Sequence, residues 1–277
     1  MTRTPDRDAD RSAPVVEVHD LIAHYGRREI LHGVSFSVQR GEIMVIMGGS
    51  GSGKSTLLRH LLGLERPSAG SIRILGQEIT RMGDLELYAL SRRFGVAFQG
   101  GALFSSMTVG ENVMLPLREH TRLDRETMKI MMRLKLEVVN LAGFEELMPS
   151  ELSGGMVKRA AFARAIIMDP VILFCDEPSA GLDPVVSSAL DDLILRLRDA
   201  LGMTIVVVTH ELESAFRIAD RITMLDGGEI LAVGRVAEVR ESPNPRIQNL
   251  LQRRFEEEAI DPDAYLARLT GEEARRS

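Results

Sequence analysis

A short glycine-rich segment, GGSGSGKST at residues 48–56, limits the possible folds of this chain more than any other feature. It follows the apolar run EIMVIM and precedes TLLRHLLGL, where apolar residues recur at helical spacing. Residues 48–55 fit the pattern G-x-x-x-x-G-K-S/T, which requires a strand before it and a helix after it. The segment therefore predicts a phosphate-binding loop at a strand end of an α/β fold.

This loop has the chemistry to bind a nucleotide. Its glycines let successive backbone N–H groups curve around phosphate oxygens, and the following helix adds the positive end of its dipole. Lys54 would neutralise the β- and γ-phosphates, and the Ser55 hydroxyl would bind Mg²⁺. The candidate ATP-binding residues in this loop are Gly48, Gly49, Ser50, Gly51, Ser52, Gly53, Lys54, Ser55 and Thr56.

Two apolar runs, VILFCDEP and MTIVVVTH, end in residues suited to phosphate chemistry. Asp176 follows the first run, at the strand end where ligands bind in open α/β sheets, and would hold Mg²⁺ through its water shell. Glu177 would accept a proton from an attacking water as a general base. An Asp-Glu pair can also cap a helix, but the phosphate loop favours the chemical roles. His210 ends the second run and would contact the γ-phosphate, whereas Cys175 is expected in the core.

The order of the elements predicts a nucleotide-binding domain with an inserted helical lobe. Two-sided apolar strands alternate with helices, which is typical of a parallel sheet covered on both faces. The region of about 103–165 is helical in period, and a hairpin is expected to turn at Asp226-Gly227. The predicted boundaries are a disordered leader over 1–13, the domain over 14–240 and a helical extension over 241–277.

Composition excludes several classes of protein. The net charge of −6 argues against a general nucleic-acid binder, which usually has a basic face. A single cysteine excludes a disulfide framework or a thiolate zinc cluster and is expected of a reducing compartment. The polar start lacks a signal-peptide pattern, and no apolar run approaches the ~18 residues that cross a bilayer. Any membrane role is therefore expected to come through a partner.

A second glycine segment, LSGGMVKRA at residues 152–160, stands at the start of a predicted helix. A glycine pair is costly there, because glycine is the poorest helix former after proline. Such a pair is typical of a place where a ligand or another chain approaches the backbone closely.

Five stretches together resemble one family in order and spacing: GGSGSGKST, FQ, LSGG, CDEPSAGLD and TH. The chain resembles the nucleotide-binding subunit of ABC transporters over about residues 14–240. The resemblance implies an α/β P-loop NTPase of the ABC ATPase type. Its core sheet would be parallel or mixed, with an N-terminal antiparallel β subdomain and an inserted α-helical lobe.

The resemblance also implies roles for single residues. Tyr25 would stack on the adenine ring. Gln99 would contact Mg²⁺ or water and sense the membrane partner, and Asp183 would lie at the boundary between subunits. His210 would hold the γ-phosphate, and the cofactors would be ATP and Mg²⁺.

For LSGG, the resemblance implies contact with ATP bound to a second copy of the chain. Ser153, Gly154 and Gly155 would bind the γ-phosphate, because free N–H groups at a helix start attract an anion. A head-to-tail dimer would then close two complete sites. Met156 and Lys158 replace glutamines common in the family, while Arg159 and Arg164 match it. ATP-driven closure is expected to survive, because the glycine N–H groups and the serine hydroxyl remain.

The segment GALFSSMTVGENVMLPLREHT, together with LSGGM, resembles the ATPases of MCE-type intermembrane phospholipid (Mla) transporters of Gram-negative bacteria. The implied partners are an inner-membrane permease, a periplasmic MCE-domain lipid-binding protein and a small STAS-domain protein, with the chain peripheral on the cytoplasmic face. Met107, Val109, Val113 and Leu115 would offer the permease an apolar surface, although core packing explains most of them equally well.

Two other classes of protein fit these motifs less well than a transporter subunit does. Soluble ABC ATPases acting on DNA carry coiled-coil inserts or zinc cysteines, and those acting on ribosomes carry two nucleotide domains. Small-molecule kinases with a phosphate loop have no use for LSGG. The residues after 252 do not match the tail of the phospholipid-transporter ATPases. The hypothesis for this tail is that it braces the dimer or docks the STAS-domain protein.

Overall fold

The computed structural model describes residues 13–252. The expected leader, except for its last residue, lies outside the described residues. The part of the extension beyond Gln252, where a second helix is expected near Asp261, also lies outside them. The chain forms two compact units, one ending at Glu241 and the other beginning at Ser242. In the second unit, a helix over Pro245–Leu251 begins where the Asn244 side chain accepts a hydrogen bond from the Arg246 N–H.

The strands form two separate sheets. In chain order they are β1 Val16–Tyr25, β2 Arg28–Val38, β3 Ile43–Met47, β4 Ala69–Ile74, β5 Gln77–Glu78, β6 Phe94–Ala97, β7 Ile172–Asp176, β8 Thr204–Thr209, β9 Arg221–Asp226 and β10 Glu229–Arg235.

The first sheet is antiparallel, in the order β2-β1-β4-β5. The second has the order β10-β9-β3-β8-β7-β6, with β9, β3, β8, β7 and β6 parallel and β10 antiparallel to β9. Strands β3 and β8 are buried along their whole length, as expected of a sheet covered on both faces. This architecture confirms the predicted fold class.

The hairpin between β9 and β10 differs from the prediction by one residue. Asp226 pairs directly with Glu229, so the two-residue turn is Gly227–Gly228 and not Asp226–Gly227. Both glycines have a positive φ, 53° and 80°, as a type I′ turn requires at its two central positions.

The helices in chain order are α1 Lys54–Leu61, α2 Asp84–Ser91, α3 Val109–His120, α4 Arg125–Val138, α5 Gly154–Ala165, α6 Pro184–Leu201, α7 Leu212–Ile218, α8 Val236–Arg240 and α9 Pro245–Leu251. Helices α3, α4 and α5 pack against one another, and α5 also contacts β6. Among the helices within residues 13–252, none has the length and apolar character needed to cross a membrane.

The end of α5 lies unusually close to β6. A Cβ atom on Gly95 would lie 2.1 Å from the backbone oxygen of Ala165, far inside van der Waals contact. Glycine at this strand position therefore allows the last helix of the lobe to touch the main sheet.

We predict that Gly95→Ala lowers the free energy of unfolding by about 1–3 kcal/mol, because overpacking forces the backbone apart. Urea denaturation would measure the change. Gly100→Ala is the matched control, since a Cβ there meets nothing within 4 Å. Equal stability of the two variants would contradict the observed packing.

Candidate functional site

Pairing of the parallel strands brings the predicted site residues to one edge of the main sheet. Met47 at the end of β3 pairs with Thr209 of β8. On the other side of β8, Val208 pairs with Asp176 of β7, and Cys175 pairs with Ala97 of β6. The phosphate loop, the Asp-Glu pair, His210 and Gln99 therefore follow neighbouring strand ends.

Lys54 holds the phosphate loop from within. Its ammonium group donates hydrogen bonds to the backbone oxygens of Gly48 at 2.9 Å and Gly49 at 2.8 Å. Burial lowers the pKa of Lys54, while the charges of Glu177 and Asp176 oppose that shift. The loop thus places a lysine beside the two candidate catalytic carboxylates, where it would also meet phosphate oxygens.

Steric contacts explain two glycines of the loop. A Cβ on Gly48 would lie 1.9 Å from the backbone oxygen of Leu225, and one on Gly53 would lie 2.7 Å from Cδ2 of Leu31. Gly53 also has φ 100° and is the residue before α1. The loop is therefore packed between β9 and β2, so the antiparallel sheet helps to shape it.

The other loop residues face different surroundings. Ser50, Gly51 and Ser55 are exposed, and Thr56 is half-buried. The Ser52 hydroxyl is buried and has no hydrogen-bond partner among the described residues. Exposure of Ser55 agrees with a hydroxyl available to a metal ion.

Glu177 and His210 form a hydrogen-bonded pair at this edge. His210 donates from Nδ1 to Oε1 of Glu177 at 2.8 Å, and the Thr209 hydroxyl donates to Oε2 at 3.0 Å. Glu177 has φ 45°, a left-handed conformation that is rare for a residue with a side chain. Such strain in a non-glycine residue clusters at functional sites.

Asp176 lies half-buried next to this pair. Burial raises its pKa, and the charge of Glu177 adds to the effect, while Lys158 and Lys54 oppose it. A carboxyl whose pKa is raised by burial and by a like charge is typical of a functional site.

The oxygen atoms of Ser55, Gln99 and Asp176 suit a magnesium ion, which prefers hard oxygen ligands. Only one of the three is a carboxylate, and within residues 13–252 no group of three or more His, Cys, Asp or Glu side chains could hold a metal ion. The residues fit Mg²⁺ that keeps water and is shared with substrate phosphates, as is usual for this ion.

The LSGG segment begins α5 at a crowded contact with α6. Ser153 is the residue before the helix, and its hydroxyl accepts a hydrogen bond from the Met156 N–H at 3.4 Å. A Cβ on Gly155 would lie 2.6 Å from Cγ1 of Val186, whereas one on Gly154 would meet nothing closer than 3.6 Å. Gly154 is exposed and Gly155 is half-buried, so in this subunit only the second glycine packs closely against a neighbouring side chain.

Asp183 begins α6 beside these glycines. A single oxygen, Oδ1, accepts hydrogen bonds from the backbone N–H groups of Val185 and Val186, both at 3.0 Å. A cavity of about 220 Å³ next to this contact is lined by residues that include Ser153, Met156 and Val186.

The half-buried Arg164 and the buried Asn112 shape the segment after Gln99. Arg164 donates to the backbone oxygens of Ala102 at 2.7 Å and Gly101 at 2.8 Å, and burial lowers its pKa. The fully buried Asn112 amide bonds to the backbone of residues 104–108. Arg164 matches the family pattern, but the sequence predicts no contact for it. Asn112 belongs to no motif, so the sequence does not single it out.

The predicted apolar surface is partly wrong. Val109 and Val113 are fully buried in the helical lobe, so they cannot meet a permease, while Met107 and Leu115 are half-buried. The exposed apolar side chains near Gln99 are instead Phe98, at 38% exposure, and Phe104, at 51%.

Tyr25 lies at the end of β1, opposite Arg28, and is 78% exposed. An exposed ring on the sheet that packs against the phosphate loop is available for stacking. Its role with adenine stays a prediction.

Comparisons with known proteins identify the family of the chain. The ABC transporter family model matches residues 31–180. The intermembrane phospholipid transport system ATP-binding protein MlaF of Escherichia coli (strain K12) is 43% identical over 239 residues, 86% of this chain and 89% of that protein. The probable ribonucleotide transport ATP-binding protein mkl of Mycobacterium leprae is 40% identical and covers 86% of this chain and 69% of that protein.

Among solved structures, the dimeric ATP-binding cassette MJ0796 in a post-hydrolysis state bound to ADP and Pi is similar. Its TM-score is 0.74 and its identity 32%, over 80% of this chain and 98% of that one. The chain therefore belongs to the ABC transporter family, as its five motifs indicated. It is an ATP-binding subunit with ATPase activity, and cassettes of this family act as dimers with membrane permeases.

We predict that Gly155→Ala destabilises the fold by about 1–3 kcal/mol through its contact with Val186. The higher helix propensity of alanine should offset up to ~1 kcal/mol of this cost. Gly154→Ala is the matched control and should be neutral or slightly stabilising. Adding Val186→Ala should lower the cost of Gly155→Ala. Thermal unfolding of the variants would measure these differences, and equal stability of both alanine variants would refute the close contact.

Proposed function

We propose that this chain hydrolyses ATP to drive phospholipid transport between the inner and outer membranes. The observation that carries the proposal is the 43% identity with MlaF across nearly the whole of both chains. Hydrolysis at the strand ends is supported by two interactions. His210 is hydrogen-bonded to Glu177, and the charge of Lys54 interacts with those of Glu177 and Asp176.

In the proposed reaction, the phosphate loop binds the ATP phosphates and Glu177 accepts a proton from the attacking water. Its carboxylate is held by Thr209 and His210, which favours one orientation for the base. Mg²⁺ held by Ser55, Gln99 and Asp176 would neutralise negative charge on the phosphates.

His210 would contact the γ-phosphate through its other nitrogen. Nε2 now lies 3.4 Å from Oε1 of Glu211, so a phosphate oxygen would replace this carboxylate. The bond from Nδ1 to Glu177 would keep the ring oriented during that exchange.

Each site would be completed by a second copy of the chain. Ser153, Gly154 and Gly155 present the start of α5, whose N–H groups and dipole favour the γ-phosphate of the partner's ATP. Asp183 lies beside them at the start of α6 and would face the boundary between the subunits.

The proposed partners follow from the relationship with MlaF. They are an inner-membrane permease, an MCE-domain lipid-binding protein and a small STAS-domain protein, with this chain on the cytoplasmic face. The exposed Phe98 and Phe104 next to Gln99 provide an apolar surface suited to the permease. A second candidate cargo is a ribonucleotide, because mkl is 40% identical over the same share of this chain.

We predict that Glu177→Gln lowers kcat for ATP hydrolysis by ~10²–10⁴-fold while ATP binding persists, because the amide cannot accept the proton. The variant should accumulate as a closed dimer with bound ATP. Lys54→Ala is the contrasting variant and should weaken ATP binding itself. Steady-state hydrolysis and equilibrium nucleotide binding would separate the two, and a near-normal rate for Glu177→Gln would refute its assignment as the base.

The cargo is tested by purifying the tagged chain from detergent-solubilised native membranes. We expect mass spectrometry to find a permease, an MCE-domain protein and bound phospholipid. A permease without an MCE-domain protein would contradict phospholipid transport and leave the ATPase assignment intact. Stimulation of ATP hydrolysis by a ribonucleotide other than ATP would do the same.

A further inference from the structure

Lys158 is a buried lysine that the proposed reaction does not use. It lies in α5, five residues after Ser153, and only 8% of its surface is exposed. Its ammonium group donates a hydrogen bond to the backbone oxygen of Glu177 at 3.0 Å. The helix that begins with LSGG is thereby tied to the catalytic end of β7 in the same subunit.

Hydrogen bonds hold both the N–H and the carbonyl oxygen of Glu177, whose backbone is strained. Its N–H donates to the backbone oxygen of Val208 at 2.8 Å, and its oxygen accepts from Ala180 N–H at 3.3 Å as well as from Lys158. A left-handed φ of 45° costs free energy for a residue with a Cβ, so it persists only where neighbours determine it. Lys158 supplies one of these constraints from a separate helix.

The charge of Lys158 also acts on the two carboxylates. Burial lowers the pKa of Lys158, and Glu177 and then Asp176 oppose this shift. A buried positive charge beside two adjacent carboxylates reduces their mutual repulsion.

We propose that Lys158 is a positioning residue for ATP hydrolysis that fixes the backbone of Glu177 and so directs its carboxylate at the attacking water. Lys158 acts through Glu177 and does not touch ATP. The inference rests on the proposed role of Glu177 as the general base.

Three substitutions separate packing, hydrogen bonding and charge. Lys158→Met keeps an unbranched side chain of similar length but removes the donor and the charge. Lys158→Arg keeps both, and Lys158→Gln keeps only a donor. In the full chain assembled with its permease, with ATP and Mg²⁺, we expect Lys158→Met to lower kcat by about 10- to 100-fold, the scale of a misplaced catalytic group.

The KM for ATP and nucleotide affinity should stay unchanged, because Lys158 does not bind ATP. Lys158→Arg should restore most of the rate, and Lys158→Gln an intermediate part. Lys129→Met is the matched control, since Lys129 lies on α4 and pairs with Glu126 of the same helix. It should leave hydrolysis unchanged.

A double-mutant cycle tests whether Lys158 acts through Glu177. If it does, Lys158→Met should lower the residual rate of Glu177→Gln little further, because both changes disable the same base. A normal kcat for Lys158→Met beside an inactive Glu177→Gln would overturn this inference alone, whereas an active Glu177→Gln would overturn the proposed base. Two further outcomes would overturn the positioning role. One is an effect of Lys158→Met on kcat that is fully additive with that of Glu177→Gln, and the other is an equal fall in kcat for Lys158→Arg.

Discussion

The parallel pairing of β3, β8, β7 and β6 is the constraint on which the site depends. Strand pairing fixes the ends of four neighbouring strands, and each end is followed by a part of the candidate site: the phosphate loop, His210, the Asp176–Glu177 pair and Gln99. A shift of one residue in any pair would turn these side chains to the opposite face of the sheet. The fully buried β3 and β8 resist such a shift, because it would disturb a core covered on both faces.

The helical lobe depends on close backbone contacts with this sheet. Gly95 lets the end of α5 touch β6, and Gly155 lets its start pack on α6. Arg164 and Lys158, both on α5, reach the segment after β6 and the end of β7. One helix therefore carries the proposed half-site for a partner's ATP and contacts the segment after β6 and the end of β7 in its own subunit.

The fold and the location of the candidate site could be predicted from local pattern, because the phosphate loop, the apolar strands and the LSGG segment each occupy a continuous stretch. The hairpin turn was misplaced by one residue, since Asp-Gly and Gly-Gly both satisfy the same turn type. Burial of Val109 and Val113 depends on which helices cover them, and helical periodicity does not reveal that. The contacts of Lys158 and Arg164 join distant parts of the chain, so no local spacing predicts them.

The central claim is that each chain carries two different half-sites, which are completed only across a head-to-tail dimer. Mixing two inactive variants tests this claim most directly. One variant combines Glu177→Gln with Lys54→Ala, and the other combines Glu177→Gln with Ser153→Arg. Only a mixed dimer then contains a complete site, formed by the intact phosphate loop of one chain and the intact LSGG of the other. The account predicts that the mixture retains ATP through gel filtration while neither variant does so alone. Failure of the mixture to retain ATP, when the unmixed Glu177→Gln chain does retain it, would contradict the account.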